Sequence, residues 1–437
     1  MSVAVARGAG PAVLGALVVF WLTIASCLSA PADALAFDVW ESADGPGSVT
    51  LDVTLKWTTT LSHAPDVPLL YPERWSAASL WRMRLDARAT PASWLSVNLA
   101  SVERARLVSE GAGVAGGSFI LPGYEDTPYR LFVAEDELVG VGDTYSLVHD
   151  LDRASMSIEL GPVRAEVGRQ AIGWGRGVLF SATDLFMPFS PLESDREWRA
   201  GVDAVRVSFP LTDLVSAEAV GVGGKSEEQS AVVGRVFGYL GDVDGEIVIG
   251  RRGEDDMVGA SFSLPVGSAE LHGEAAAFRV PEPMPDGGGL LGDDIVEKAV
   301  VGGSYAVDVG AGVYIVGEYH YSGFGVADIK DASLRLLDSD FAERYARGDF
   351  SLLGRHALAL QLQYGLSGNW SLGCAWIASP SDGSGVLIPS WTWLFSDSIT
   401  LEGHGYLTYG EEPEGLIVMS EYGVVPSSAL VRISFYY

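Results

Sequence analysis

Charged side chains occupy alternate positions in several short and otherwise apolar segments of the sequence. Between residues 80 and 88, Arg82, Arg84 and Arg88 alternate with tryptophan, methionine and leucine. Because successive side chains of a β-strand point to opposite faces, such a segment places its charges on one face. A row of charges is costly against a dry core, whereas it suits a water-filled interior. The pattern therefore predicts the lining of an aqueous passage, whose field orients dipolar solutes.

The inward charges differ in sign between the early and the later strands. The predicted lumen-lining residues are Arg82, Arg84, Arg88, Arg164, Arg206, Glu270, Glu274, Glu318, His320, Glu402 and His404. In a closed barrel the early and later strands face each other, so we expect a basic wall opposite an acidic wall. The alternative is that these charges pair with one another and plug the barrel.

A long connection between two strands is the second candidate for a functional element. Residues 174–200 combine aromatic side chains, prolines and mixed charge, a composition too apolar for a solvated linker. We expect this insert to fold back into the lumen as a constriction, and the alternative is a rigid flap over the neighbouring outer loops. The predicted constriction residues are Trp174, Arg176, Asp184, Phe186, Phe189, Asp195 and Arg196. Just before the insert, Arg169 falls on the lipid side of strict alternation, which predicts a β-bulge there.

The sequence offers little for catalysis or for metal binding. Its six histidines are scattered, and the GxSxG and HExxH patterns are absent. Only His272, His320 and His404 alternate toward the lumen near glutamates, which is a weak basis for a site. We therefore predict no enzyme activity, no catalytic residue, no metal and no cofactor. The net charge of −29 argues against nucleic acid as a partner.

The elements that position these charges are predicted to form an all-β fold. Alternating segments recur along the chain, for example at residues 313–321 and 399–409, and connections between them alternate between long and short. This predicts a transmembrane antiparallel β-barrel of about 18 strands (16–18), with long outer loops and short periplasmic turns. The first strand is expected near residues 48–58. Residues 331–347 have a helical pattern and are expected to form a short helix within an outer loop.

Both ends of the chain carry signals of export and assembly. Residues 1–36 have the pattern of a signal peptide, which leaves a barrel at 37–437. A competing interpretation is a lipoprotein signal that would place a lipid on Cys27. The last residues alternate up to Tyr437 and resemble the C-terminal strand that the barrel-assembly machinery recognises in bacterial outer-membrane barrels, with tyrosine in place of phenylalanine.

Motifs around the insert resemble those of a little-characterised group of bacterial outer-membrane barrels. These are Gly168-Arg169-Gln170 with Trp174-Gly175 and Gly177, followed by Asp184, Phe186, Pro188-Phe189 and Pro191. Later segments beginning at Glu318, Leu353 and Ser381 resemble the same group. In size and strand count the group is similar to alginate-export and substrate-selective porins. The resemblance implies a pore-forming barrel of the outer membrane and no catalytic residues.

The predicted function is a porin-like channel for passive diffusion of small polar or charged solutes through a charged constriction. The main alternative is a non-conducting barrel that acts as an adhesin or an assembly scaffold, and a barrel enzyme is a weaker one. Expected partners are outer-membrane lipid and lipopolysaccharide, and a homo-oligomer is compatible with the pattern. Acidic residues in the outer loops could bridge lipopolysaccharide through divalent cations, or could simply be solvated charge: Glu282, Asp286, Asp293, Asp294, Glu297, Glu411, Glu412, Glu414 and Glu421.

Overall fold

A computed structural model describes residues 37–41, 47–112, 127–132, 135–142, 144–284 and 291–437. The predicted signal peptide, Cys27 and Asp286 lie outside these residues. No helix among the described residues is long and apolar enough to cross a membrane.

The described chain is almost entirely antiparallel β-structure, as the sequence predicted. Its strands are β1 Phe37–Glu41, β2 Ser48–His63, β3 Trp75–Ala92, β4 Leu95–Val108, β5 Glu135–Val141, β6 Tyr145–Leu160, β7 Val163–Gln170, β8 Val202–Pro210, β9 Val215–Val222, β10 Ala231–Leu240, β11 Val243–Arg252, β12 Asp255–Val266, β13 Ala269–Arg279, β14 Ile295–Val307, β15 Val313–Ser322, β16 His356–Ser367, β17 Trp370–Ser379, β18 Ser384–Ser396, β19 Ile399–Tyr409 and β20 Ser427–Tyr436. Two short helices, α1 Ala332–Arg335 and α2 Ser339–Arg347, follow a 3₁₀ turn at Ile329–Asp331.

Eighteen of these strands form a closed barrel. Neighbours in sequence pair with each other, and β20 pairs with β2, with Leu55 opposite Phe435, which closes the ring. Two strands supplement the wall without adding to the ring. β1 pairs with the start of β2, beyond the point where β20 ends, and β5 pairs with the outer end of β6 where β7 has already ended. The predicted strand number and closed antiparallel topology are confirmed.

Alternation assigns each strand an inner and an outer face. On β11 and β12 the apolar side chains Ile247, Ile249 and Val258 are each at least half exposed on the outside. On β3, Arg82 and Arg84 point inward and are buried. Leu85, the residue that follows Arg84, points outward and is exposed. The apolar belt outside and the polar side chains inside are typical of a barrel that is solvated by lipid.

Connections at one end of the barrel are short, and most of those at the other end are longer, although residues 253–254 between β11 and β12 form a short connection there. Short turns include 161–162, 241–242 and 267–268, and Gly267 adopts a positive φ of 65° in the last of these. The opposite rim carries 109–144 with β5, the insert 171–201, 323–355 with both helices, and 410–426. The predicted helix at 331–347 is divided into α1 and α2, because residues 336–338 interrupt it and Asp338 caps α2 with a hydrogen bond to the Asp340 amide.

The predicted bulge at Arg169 is wrong. β7 pairs with β6 and β8 without a register shift, so Arg169 does face outward. Its guanidinium is nevertheless buried, because Asp203 on β8 lies 2.8 Å away and residues 131–132 cover the pair. A local ion pair under a loop, rather than an extra residue in the strand, accommodates this charge.

Candidate constriction of the lumen

The insert lies between Gln170 at the end of β7 and Val202 at the start of β8, so it spans residues 171–201 and begins three residues earlier and ends one residue later than the predicted 174–200. It has no helix or strand of its own. A chain without internal ladders must find hydrogen-bond partners elsewhere for its backbone N–H groups. Those partners are carboxylates on the barrel wall.

Glu274 on β13 accepts hydrogen bonds from several groups of the insert. Its Oε1 accepts from the amides of Arg176 and Gly177, the latter at 2.6 Å, and its Oε2 accepts from Ser181, Ala182 and Thr183. The amide of Ala182 lies 2.7 Å from the carboxylate. Hydrogen bonds to an ionised acceptor are about twice as strong as those between neutral groups. The insert is therefore wrapped around this side chain.

Glu318 on β15 has the same role for the residues between the two segments that Glu274 binds. Its carboxylate accepts from the amides of Val178, Leu179 and Phe180 at 2.5 to 3.0 Å. His272 Nε2 on β13 lies 2.9 Å from Oε1, the oxygen that also accepts from the Val178 amide, and so helps to fix the orientation of the carboxylate. Both predicted lumen glutamates thus bind the backbone of residues 176–183 and are buried beneath it.

The far end of the insert contacts the opposite, basic side of the barrel. Asp195 pairs with Lys56 on β2 at 2.9 Å and with Arg82 on β3, and all three side chains are buried. Ser194 accepts hydrogen bonds from Arg432 on β20, through its carbonyl at 2.9 Å and its hydroxyl at 2.7 Å. Burial alone would raise the pKa of Asp195, but Arg82, Arg432 and Lys56 outweigh it and hold the pKa well below its usual value.

Trp198 lies among the cations of this wall. Lys56 Nζ is 4.1 Å from its ring centroid, and the guanidinium carbons of Arg82 and Arg84 are 4.8 and 5.2 Å away. Such distances are those of cation–π contacts. The indole therefore packs against the basic wall through its π-face.

Apolar side chains of the insert complete its attachment to the rest of the barrel. Leu179, Phe180 and Leu192 join a cluster formed by inward residues of β14 and β16–β20. Ile172, Trp174 and Phe186 join a second cluster with inward residues of β8–β14 and the loop around Phe324. The insert therefore lies across the lumen and touches nearly every side of it.

The remaining predicted constriction residues form ion pairs, ring contacts or hydrogen bonds with the wall or with other residues of the insert. Asp184 pairs with Arg199 at 2.6 Å, and Arg176 pairs with Asp244 on β11 at 2.8 Å. The Arg199 guanidinium also lies 5.0 Å from the Phe189 ring. Arg196 donates to the carbonyls of residues 178, 190 and 191, and so closes the insert on itself.

The other predicted lumen residues divide into buried and accessible ones. His320 is buried and stacks on Phe180 at 5.0 Å, and His404 also faces inward. Glu402 lies 3.4 Å from Arg432, Arg206 pairs with Glu218, and Glu270 accepts from Ser263. Arg88 and Arg164 are exposed. A cavity of about 170 Å³ lies between Arg164, Glu166, Arg206 and Ser208.

We expected a basic wall and an acidic wall that both face open water, but the charges of both walls are paired or covered. Arg82 is neutralised by Asp195 of the insert, and Arg84 by Asp152 on β6 at 2.5 Å. Glu274 and Glu318 are covered by the insert. One gap of about 10 Å³ lies between the insert and the wall, lined by Arg82, Arg84, Val102, Arg104, Asp150, Asp152 and Trp198. A gap of that volume holds about one water molecule.

Sequence reasoning missed Lys56, Asp152, Trp198 and Arg432. Lys56 and Arg432 fall on the inward face of their alternating strands, so strict alternation could have found both. Trp198 offered no such signal because the insert has no periodicity. Glu421, predicted as a loop charge, is buried and accepts the amides of Leu353 and Gly354 at 2.9 and 2.7 Å.

The histidines form no shared centre in the part of the chain that the structure describes. His149 pairs with Glu103 and His356 with Tyr319, in each case on the outer face of the barrel. Within the described ranges, no group of three or more histidine, cysteine or acidic side chains could hold a metal ion.

Comparison with known proteins identifies the fold only. No protein-family model matches the chain, and no curated protein matches it in sequence. Its structure is similar to OccK9 (OpdG) of Pseudomonas aeruginosa, with a TM-score of 0.54 at 9% identity over 89% of this chain and 98% of that one. It is also similar to OccAB4 of Acinetobacter baumannii (0.52, 9%, 89% and 98%) and to a BenF-like porin from Pseudomonas fluorescens Pf-5 (0.51, 10%, 89% and 98%).

Proposed function

We propose that the protein is a porin-like channel of the bacterial outer membrane, through which small polar or charged solutes diffuse passively. The observation that carries this proposal is the insert 171–201, which crosses a polar lumen and leaves a gap beside the charged strands β3–β6. A lipid-facing apolar exterior, a charged interior and a fold shared with a named porin all support it. Residues 1–36 would be the export signal and 37–437 the barrel.

Solutes would be selected at the gap between Trp198 and the wall. Arg84, Arg104, Asp150 and Asp152 present both signs of charge there, so a passing solute exchanges water for fixed charges. Because this gap is about as large as one water molecule, a larger solute would pass through it only when the Trp198 edge of the insert shifts. Arg88 and Arg164, which are exposed, would line the path next to this gap. No energy source and no catalytic residue is part of this mechanism.

A second candidate is a non-conducting barrel that serves as a scaffold or adhesin. It is favoured by the extent to which the insert fills the lumen, with buried ion pairs on one wall and backbone contacts to Glu274 and Glu318 on the other. A plug of this kind would leave the outer loops as the functional surface.

Planar-bilayer recording of the purified protein tests the proposal. A channel gives discrete conductance steps, and a reversal potential in a salt gradient reports which sign of charge passes more easily. Absence of steps from folded protein would overturn the channel and favour the scaffold.

A further inference from the structure

An apolar patch with acidic neighbours lies on the outer rim, on the loops 323–355 and 410–426. Leu334 in α1 and Leu337, two residues beyond the end of that helix, are 71% and 82% exposed. Leu416 and Ile417 in the other loop are 59% and 49% exposed. Most large apolar side chains of this protein that are so exposed lie on the outer wall of the barrel, whereas these four lie on a loop surface beyond it.

The two loops that carry these pairs are joined by a hydrogen bond and by a shared buried cluster. The amide of Val418 donates a hydrogen bond to Ser333 Oγ at 2.9 Å. Ile417 precedes Val418 and Leu334 follows Ser333, so this hydrogen bond brings the two apolar pairs close together. Beneath them, Val418 and Ala332 are buried in one cluster with Phe341. The patch therefore does not need to order itself when a partner binds, which lowers the entropic cost of binding.

The charge around the patch is strongly negative. Asp331, Asp338 and Asp340 flank the first pair, and Glu411, Glu412 and Glu414 flank the second, all of them exposed, although Asp340 is paired with Arg344 at 3.1 Å. Lys330 is the exposed base in the same stretch of the first loop, and Arg335 is half-buried. Such a surface repels anionic lipopolysaccharide and repels a second copy of itself, and it attracts cations.

We propose that this patch, Leu334, Leu337, Leu416 and Ile417 with its acidic border, docks a cationic amphipathic polypeptide from outside the cell. Four exposed apolar side chains match the apolar stripe of a short amphipathic helix, whose anchors recur at intervals of three and four residues. The border matches lysine and arginine on the flanks of that helix.

Fluorescence anisotropy tests this with the full-length protein in detergent and three labelled synthetic peptides. The first is a lysine–leucine amphipathic helix, the second replaces every lysine with glutamate, and the third replaces every leucine with serine. We expect saturable binding of the lysine–leucine helix, and binding at least about tenfold weaker for each of the other two, because each lacks one of the two matching features.

Variants locate the binding site. The double substitution L334S/L337S should weaken binding of the lysine–leucine helix about tenfold, whereas Leu69→Ser, which alters a leucine that is 74% exposed in the loop 64–74, should leave it unchanged. The charge variant E412Q/E414Q, which removes no apolar contact, should weaken binding at low salt and much less at high salt. Retention of the folded form on electrophoresis without boiling confirms that each variant is intact.

Three results would overturn the proposal. These are absence of binding to the wild-type protein, equal binding of the glutamate peptide, and equal loss of binding in Leu69→Ser. Self-association that depends on Leu337 would assign the patch to a second copy instead, and binding of lipopolysaccharide with magnesium at the same residues would assign it to lipid.

Discussion

Lys56 Nζ lies 2.9 Å from Asp195 Oδ1, although the two residues are 139 positions apart and belong to different parts of the barrel. Lys56 is on the strand that closes the ring, and Asp195 is near the end of a segment that leaves the wall between β7 and β8. Because residues 176–183 of the same insert bind Glu274 on β13, on the far side of the barrel, the two contacts together require the insert to span the lumen. Because the pair is buried away from water, removing one of its two charges would leave the other buried without a partner, which is strongly destabilising.

Replacing Asp195 with asparagine should open the constriction and shift its selectivity. Lys56 and Arg82 would lose their shared counter-charge, which costs on the order of 3 kcal/mol in the attachment of the insert. We expect higher single-channel conductance and a reversal potential that moves toward anions. Asp66→Asn, at an exposed acid in the loop 64–74, is the matched control and should change neither.

Replacing Glu274 or Glu318 with glutamine should loosen the opposite side of the insert. Each carboxylate accepts several hydrogen bonds from backbone amides of the insert. A glutamine side chain cannot replace it, because it carries no charge and would place an NH2 donor against these amide donors. Expected results are larger current fluctuations and a loss of unfolding free energy of about 2–4 kcal/mol. Glu270→Gln on the same strand, at a residue that accepts from Ser263 and does not contact the insert, should have a smaller effect. Equal noise in all three variants would contradict the role assigned to the first two.

Replacing Trp198 with alanine should widen the gap beside β3–β6. The ring covers Lys56, Arg82 and Arg84, and each cation–π contact contributes about 0.5–2 kcal/mol. We predict a higher conductance with an intact fold. Trp393→Ala, on the outer face where Trp393 stacks on Trp370, controls for loss of a tryptophan and should leave conductance unaltered.

The buried acid Glu421 should make the outer loops less stable as pH rises. Burial raises the pKa of its carboxyl from 4.5 to about 7, against hydrogen bonds from Gly354 and Leu353. The folded state therefore holds this proton more tightly than the unfolded state, and its contribution is full below pH 4.5 and is lost as pH rises toward 7.

Denaturant unfolding at pH 5 and pH 8 measures this effect. The wild-type protein should lose up to about 3 kcal/mol from this group over that interval, and Glu421→Gln should lose correspondingly less. Glu412→Gln, at an exposed acid of the same loop, should titrate like the wild type. An unchanged pH dependence in Glu421→Gln would show that its pKa is ordinary.

Much of the wall could be predicted from the sequence because alternation is a local property. Arg82 and Arg84 reveal their face through their immediate neighbours, and the turn at Gly267 separates two clear strands. Alternation alone misled the prediction at Arg169. The outward charge is accommodated by Asp203 on β8 and by the loop at residues 131–132, neither of which is a sequence neighbour of Arg169.

The interior of the constriction could be predicted only in part. Composition indicated that residues 174–200 must be packed against something, but the insert has no periodicity from which contacts could be inferred. Inward glutamates were expected to face water. Glu274 instead satisfies backbone amides, since an irregular segment inside a barrel needs acceptors that only the wall can supply. Trp198 depends on the same long-range geometry.

Deletion of residues 181–193 from the insert, followed by single-channel recording at equal salt, tests the central claim most directly. The intact protein should give small conductance steps and the deletion variant larger steps, with both proteins shown to be folded by electrophoresis without boiling. Equal conductance in the two proteins would contradict a constriction formed by the insert.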